Sequence, residues 1–157
     1  MFQKKLCATI LGLGAVLTLT TGPQAFASKD LNGTFAGNCK ILIFGAYIDC
    51  KVQMKIIQTE VGIEWTQALF YFGRLTVAPS PKYVIRDGEI FDGEAKVGHL
   101  TDQGLVLESA TQTDRSVTTI ERPTQDTLTF DQLNSEVATG KTSFSLKGSM
   151  VENAAFP

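Results

Sequence analysis

Residues 33–58 constrain the fold most, because they contain two runs of alternating apolar and polar residues on either side of a short turn. In the second run, apolar residues or cysteine occupy every second position from Ile48 to Ile56, and the residues between them are polar. A period of two is what a half-buried β-strand requires, because successive side chains leave opposite faces of the strand. The segment therefore predicts a β-hairpin that turns at Phe44 and Gly45.

The predicted hairpin also brings two cysteines together. It places Cys39 opposite Cys50 and Phe35 opposite Met54, so that both cysteines and the large apolar residues of the two strands share one face. Outside the cytoplasm a facing pair of cysteines usually oxidises, and closing a loop of about a dozen residues stabilises a fold by about 3 kcal/mol. A redox-active pair is the alternative, but it more often has C-x-x-C spacing at the start of a helix. We therefore predict a structural disulfide between Cys39 and Cys50.

Residues 1–27 have the three-part layout of a secretory signal peptide. Lys4 and Lys5 precede an apolar stretch over residues 6–19, and Ala25-Phe26-Ala27 supplies the small residues of a cleavage site. A membrane anchor is the alternative, but the stretch is short for a span that needs about 20 residues. We expect cleavage after Ala27, which leaves a single domain at residues 28–157 in the periplasm or outside the cell.

The charge of the predicted mature chain excludes one class of partner. Loss of two lysines with residues 1–27 leaves 12 basic against 16 acidic residues, a net charge of −4. The basic residues are scattered along the sequence, so we expect no basic patch that could bind the phosphates of a nucleic acid. The longest apolar run after cleavage, residues 41–48, is too short for a membrane helix. We expect neither a nucleic-acid partner nor a membrane span, and the oligomeric state stays open.

The remaining sequence is typical of an all-β protein. It shows no sustained helical period, and turn signals recur about every ten residues, as in β-sandwiches and β-barrels. Asp87-Gly88 is the strongest local signal, because this dipeptide accepts the positive φ angles of a tight hairpin turn. Residues 73–81 are predicted to interrupt the strands, since Pro79 and Pro81 cannot donate a hydrogen bond to a neighbouring strand. The pattern gives eight or nine strands.

Consecutive antiparallel strands with one apolar face can close into an up-and-down barrel, which leaves no exposed sheet edge. At about eight strands the interior is just wide enough to be filled by side chains or to hold one small ligand. A two-sheet sandwich is the competing architecture, because alternation alone does not separate the two. We predict an antiparallel barrel of about eight to nine strands, with the β-sandwich as the alternative.

The start of the first strand carries a resemblance to a known family. Residues 31–37, with the sequence LNGTFAG, resemble the opening of lipocalin-like (calycin) barrels, which typically begin with Gly-x-Trp. This chain has Phe35 where the family usually has Trp. The resemblance covers seven residues and the overall number of strands. It implies a barrel of eight to ten strands with an apolar cavity, and it implies no particular ligand.

The aromatic and sulfur-containing residues of the inner face are the best candidates for a binding surface. The proposed ligand-binding residues are Phe35, Met54, Trp65, Phe91 and Phe144. Phe130 belongs to the same set. The third strand is expected to continue the inner face with Ile63, Trp65, Gln67, Leu69 and Tyr71, with Trp65 opposite Met54. The alternative is that these residues only pack the core.

The sequence gives little support for catalysis, a cofactor or a metal. His99 is the one histidine, so a nucleophilic site would have to be built around it. It lies at the end of a strand, and the alternation of side chains places it on the same face as Phe91, Ala95 and Val97. From there it could face the mouth of a cavity. The acidic residues 87–94 lack the ligand spacing of a calcium loop, and a zinc or haem site usually needs more His or Cys. We predict no catalytic residue, no cofactor and no metal, hence no enzyme.

Two functions remain. The first is an exported lipocalin-like barrel that binds a small hydrophobic molecule in its interior. The second is a structural or protein-interaction module of the bacterial envelope, with a filled core and a binding surface on loops such as residues 73–81. An outer-membrane barrel is disfavoured, because neither face of residues 115–122 is apolar enough for lipid.

Overall fold

A computed structural model describes residues 29–43, 45–78 and 80–156, and its regular elements are all β-strands. The predicted signal peptide and Phe44 of the predicted turn lie outside the described residues. No helix in the described ranges is long and apolar enough to cross a membrane. The eleven strands are Gly33–Ile43 (β1), Ala46–Thr59 (β2), Gly62–Tyr71 (β3), Leu75–Val77 (β4), Lys82–Arg86 (β5), Glu89–Asp92 (β6), Ala95–Leu100 (β7), Gly104–Ala110 (β8), Asp114–Thr124 (β9), Thr127–Glu136 (β10) and Thr142–Glu152 (β11).

The strands form a closed antiparallel barrel. Ten of them each pair with the next along the chain, β5 follows β3 in this series, and β11 pairs back with β1. The up-and-down barrel is therefore confirmed. It has one or two strands more than the predicted eight or nine.

β4 is the eleventh strand and lies outside the closed series of ten, at the end of the barrel that carries the β1–β2 turn. It pairs with the second half of β3, and β5 pairs with the first half of β3 along the same edge. The segment predicted as a break between strands thus contains a three-residue strand.

The first hairpin has the predicted register. Cys39 lies opposite Cys50 and Phe35 lies opposite Met54, and all four side chains are buried. Cys39 and Cys50 form a disulfide. Ile48 is the exception to the predicted inner face, because it is 41% exposed near the turn.

A β-bulge in β3 changes which side chains face the barrel interior. Trp65 pairs with Ile56 and Gln67 pairs with Lys55, so Thr66 is left without a partner of its own. One extra residue in a strand reverses the alternation beyond it. Trp65 is therefore not directly opposite Met54, as the uninterrupted pattern predicted. Beyond the bulge the inward residues are Ala68, Phe70 and Phe72, instead of the predicted Gln67, Leu69 and Tyr71.

The connections between strands alternate between the two ends of the barrel. One end carries the turns between β2 and β3, β5 and β6, β7 and β8, and β9 and β10. The interior near this end is densely packed by fully buried side chains, among them Leu31, Phe35, Ile90, Leu105 and Leu128. We call it the Arg122 end, for the buried arginine described next, and the opposite one the cavity end.

Arg122 ties three parts of the chain together, although only 9% of it is exposed. Its guanidinium donates to the carbonyl oxygens of Asp30 and Asn32, at 2.9 and 3.0 Å, and to that of Gln125. It also donates to the carboxylate of Glu152 at 2.6 Å. The residues before β1, the turn after β9 and the end of β11 are thereby fixed around one charge.

Phe35 packs directly beneath this arginine. The guanidinium carbon of Arg122 lies 5.2 Å from the centroid of the Phe35 ring, which is a cation–π contact. Phe35 has no solvent exposure. Its role in the fold is to seal the Arg122 end of the barrel.

Candidate functional site

A cavity of about 560 Å³ occupies the part of the interior nearest the cavity end. The position of the lining residues along the barrel axis shows this, because Ile41 lies next to the β1–β2 turn and Phe72 lies next to the β3–β4 turn. The interior is thus more densely packed at the Arg122 end than at the cavity end. The large apolar side chains of the lining include Met54, Trp65, Phe70, Phe130, Phe144 and Leu146.

Trp65 is held in a fixed orientation in the cavity wall. Its indole N–H donates to the sulfur of Met54 at 3.0 Å. Its ring meets Tyr83 edge to face, with 5.4 Å between the ring centroids. The Thr66 bulge follows directly, so the inner face of β3 continues from Trp65 to Ala68 and Phe70.

Tyr83 lies where the cavity adjoins a smaller recess of about 280 Å³. Burial raises the pKa of the Tyr83 hydroxyl, and the negative charge of Asp92 raises it further. The hydroxyl is therefore a neutral hydrogen-bonding group at physiological pH. The recess reaches the surface beside Asp92 and Glu108, which are exposed.

The polar part of the cavity wall is uncharged. Gln132 and Thr118 lie directly opposite each other on β10 and β9, and both line the cavity. Thr76 and Tyr83 add two hydroxyl groups. Among the residues that the structure describes, no Lys, Arg, His, Asp or Glu lines this cavity.

The structure brings three of the five predicted binding residues together. Met54, Trp65 and Phe144 line the cavity. Phe35 lies at the Arg122 end, and Phe91 lies under the guanidinium of Arg86, whose carbon is 5.1 Å from the ring centroid. Both of these fall outside the described lining, although all five residues were placed on one face by the alternation.

Sequence reasoning left several lining residues unassigned. Phe70 was missed because the bulge at Thr66 is not marked by any glycine or proline. Phe130 carried a signal, as a member of the aromatic inner face. No sequence signal marked Gln132 or Tyr83 as lining residues, because a polar residue on an inner face can be assigned to a site only when the cavity beside it is known.

His99 lies outside the cavity lining. It is an exposed residue of β7, paired with Glu89 and Val106. Its neighbours Gly98 and Leu100 are buried, so His99 faces outward, whereas the alternation predicted that it faces inward. Within the described residues no group of three or more His, Cys, Asp or Glu could hold a metal ion.

Comparison with solved structures identifies the fold. The barrel is similar to an S-type phycobiliprotein lyase, CPES, from Guillardia theta, with a TM-score of 0.57 and 9% sequence identity over 80% of this chain and 90% of that chain. This chain has a lipocalin-like (calycin) fold. At that identity the similarity shows the fold alone, and the resemblance at residues 31–37 is consistent with it.

A second solved structure is less similar. Aphrodisin, a sex pheromone from female hamster, has a TM-score of 0.37 and 10% identity over 80% of this chain and 76% of that chain. At this TM-score it carries no argument. No family model and no curated protein matches the sequence.

Proposed function

We propose that this protein is an exported, non-catalytic carrier that holds a small apolar molecule inside its barrel. The observation that carries the proposal is the cavity of about 560 Å³ between the packed end of the barrel and the cavity end. Small-molecule sites are typically concave, mostly apolar and about 300–1,000 Å³ in volume. Both the size and the aromatic lining of this cavity fit that class.

The alternative, an envelope module with a filled core, has less support. It requires side chains to fill the interior, and here the rings of Phe70 and Phe130 meet edge to face, with 6.4 Å between their centroids, yet leave about 560 Å³ accessible beside them. Protein interiors are normally packed as densely as organic crystals. A cavity of this size is therefore a feature that the ligand hypothesis explains and the filled-core hypothesis does not.

Export is supported by two independent features. Residues 1–27 have the signal-peptide pattern described above, and Cys39 and Cys50 form a disulfide. Disulfides form and persist mainly in oxidising compartments. We place the mature protein, residues 28–157, in the periplasm or outside the cell.

The proposed binding residues are the three predicted ones that line the cavity, Met54, Trp65 and Phe144, together with Phe70 and Phe130. They offer surface for dispersion and stacking contacts. None of them is a nucleophile or a general base, which supports a carrier. The neighbour named a lyase shares the fold at 9% identity, so we take no activity from it.

Filling the cavity tests the proposal. Ala68→Phe adds a ring at a buried position of the lining, and Ala46→Phe adds the same ring at an exposed position of β2. The neutral fluorophore N-phenyl-1-naphthylamine (NPN) should bind the native protein and the Ala46→Phe variant. It should bind Ala68→Phe at least about tenfold more weakly, because a ring occupies its place. Equal binding by all three proteins would place the probe elsewhere and contradict the carrier.

A further inference from the structure

We infer that the ligand of this cavity is uncharged and carries a carbonyl or hydroxyl group that binds Gln132. The inference rests on the proposed function and adds the chemical class of the ligand. It is drawn from two properties of the wall, its lack of charge and its unpaired amide.

The lack of charge excludes an ion from the interior. Burying a carboxylate is unfavourable unless a cation and hydrogen-bond donors compensate for its lost hydration. Among the described residues the lining contains no cation. Arg122, the buried cation of the barrel, lies at the opposite end and is already paired with Glu152.

The charges near the recess do not favour an anion either. Glu108 there is paired with Arg115, with 3.0 Å between the charged atoms. Asp92 also lines the recess, and its charge acts on Tyr83. An anionic group that entered beside Tyr83 would approach this carboxylate. Arg74 and Lys141 lie in exposed turns at the cavity end and are not part of the lining.

Gln132 is the group best placed to bind a neutral polar atom. Both Gln132 and Thr118 opposite it are half-buried and line the cavity, and within the described part of the chain neither side chain makes a hydrogen bond to the protein. An amide can both donate and accept, so it can bind a carbonyl or a hydroxyl group. The rest of the ligand would contact the aromatic lining.

A matched pair of fluorophores tests the charge preference. 8-Anilino-1-naphthalenesulfonate (ANS) has the ring system of NPN and one added sulfonate. The native protein should bind NPN at least about tenfold more tightly than ANS, a difference of about 1.4 kcal/mol. If ANS binds equally or more tightly, and Ala68→Phe abolishes that binding, then an anion occupies the cavity. That result would overturn the inference and leave the carrier proposal intact. Failure to bind either probe would instead contradict the proposed function.

A second pair tests Gln132. 2-Acetylnaphthalene and 2-ethylnaphthalene have nearly the same shape and differ in one carbonyl group, and each can be assayed by displacement of NPN. The native protein should prefer the ketone about three- to tenfold, as expected for one hydrogen bond. Gln132→Leu should remove this preference, and Gln67→Leu, which makes the same change on β3 outside the lining, should keep it. A preference that survives in Gln132→Leu, or is absent from the native protein, would overturn the role of Gln132.

Discussion

At the scale of single residues, Trp65 is the side chain best placed to report on the cavity. It is the one tryptophan of the chain, is 5% exposed and lines the cavity wall. A fluorophore bound in the cavity would lie within a few ångströms of its ring. Any change in its emission can therefore be assigned to this site.

We predict efficient energy transfer from Trp65 to bound NPN. Excitation of the tryptophan should produce NPN emission, and Trp65→Phe should remove it while directly excited NPN still reports binding. A titration followed at both excitation wavelengths measures this. Bound NPN that receives no energy from Trp65 would have to sit outside the cavity.

The hydroxyl of Tyr83 gives a prediction about alkaline pH. Burial and the charge of Asp92 raise its pKa in the folded state above the ordinary value of 10.0. Because folding raises the pKa, the folded protein is stabilised while this group stays protonated, and that stability is lost as the pH rises from about 10 through the raised value. Ultraviolet absorbance measures the ionisation of tyrosines to phenolate. The contribution of Tyr83, obtained as the difference between the native protein and Tyr83→Phe, should have its midpoint above pH 10.0. A midpoint at or below that value would contradict the burial of Tyr83.

Arg122 should matter for stability and not for binding. Arg122→Ala leaves the half-buried carboxylate of Glu152 without its partner and should lower the free energy of unfolding by about 3 kcal/mol. Arg115→Ala breaks an exposed ion pair with Glu108 and should cost less than about 1 kcal/mol. Urea denaturation of the two variants measures both values. Equal losses, or weaker NPN binding by a folded Arg122→Ala protein, would contradict the separation of the two ends.

At the scale of strands, the first hairpin was predictable and the third strand was not. Both arms of the hairpin alternate without interruption around one turn, so a single register buries its apolar residues. In β3 the extra residue, Thr66, resembles an ordinary outward residue of a strand. The bulge depends on pairing with β2, which local sequence does not reveal, so the inner face from Ala68 onward was assigned to the wrong residues.

The disulfide belongs to this same scale, since it joins β1 to β2. Replacing Cys39 and Cys50 together by alanine should lower the free energy of unfolding by about 3 kcal/mol, through the entropy of the unfolded chain. Reduced native protein should be destabilised by a similar amount, and urea denaturation compares the two. Unchanged stability in both would show that the bond contributes little beyond the hairpin's own pairing.

At the scale of the whole molecule, the closed barrel sets which residues can form a site. Alternation predicted that Phe35 and Phe144 face inward, and they do, but it gave no height along the barrel axis. Phe35 lies beneath Arg122 and Phe144 lies at the cavity. That height depends on the registers of ten paired strands. The fold class was therefore readable from the sequence, whereas the division into a packed end and a cavity was not.

The central claim is that this cavity holds a small apolar molecule, and native mass spectrometry tests it most directly. The native protein and the Ala68→Phe and Ala46→Phe variants would be purified without denaturation from the proposed extracytoplasmic compartment. We predict an adduct of roughly a few hundred daltons, the mass of ligands that fit such cavities, on the native protein and on Ala46→Phe. The adduct should disappear on denaturation and should be absent from Ala68→Phe. A native protein that carries no adduct, or an adduct that Ala68→Phe retains, would contradict the carrier.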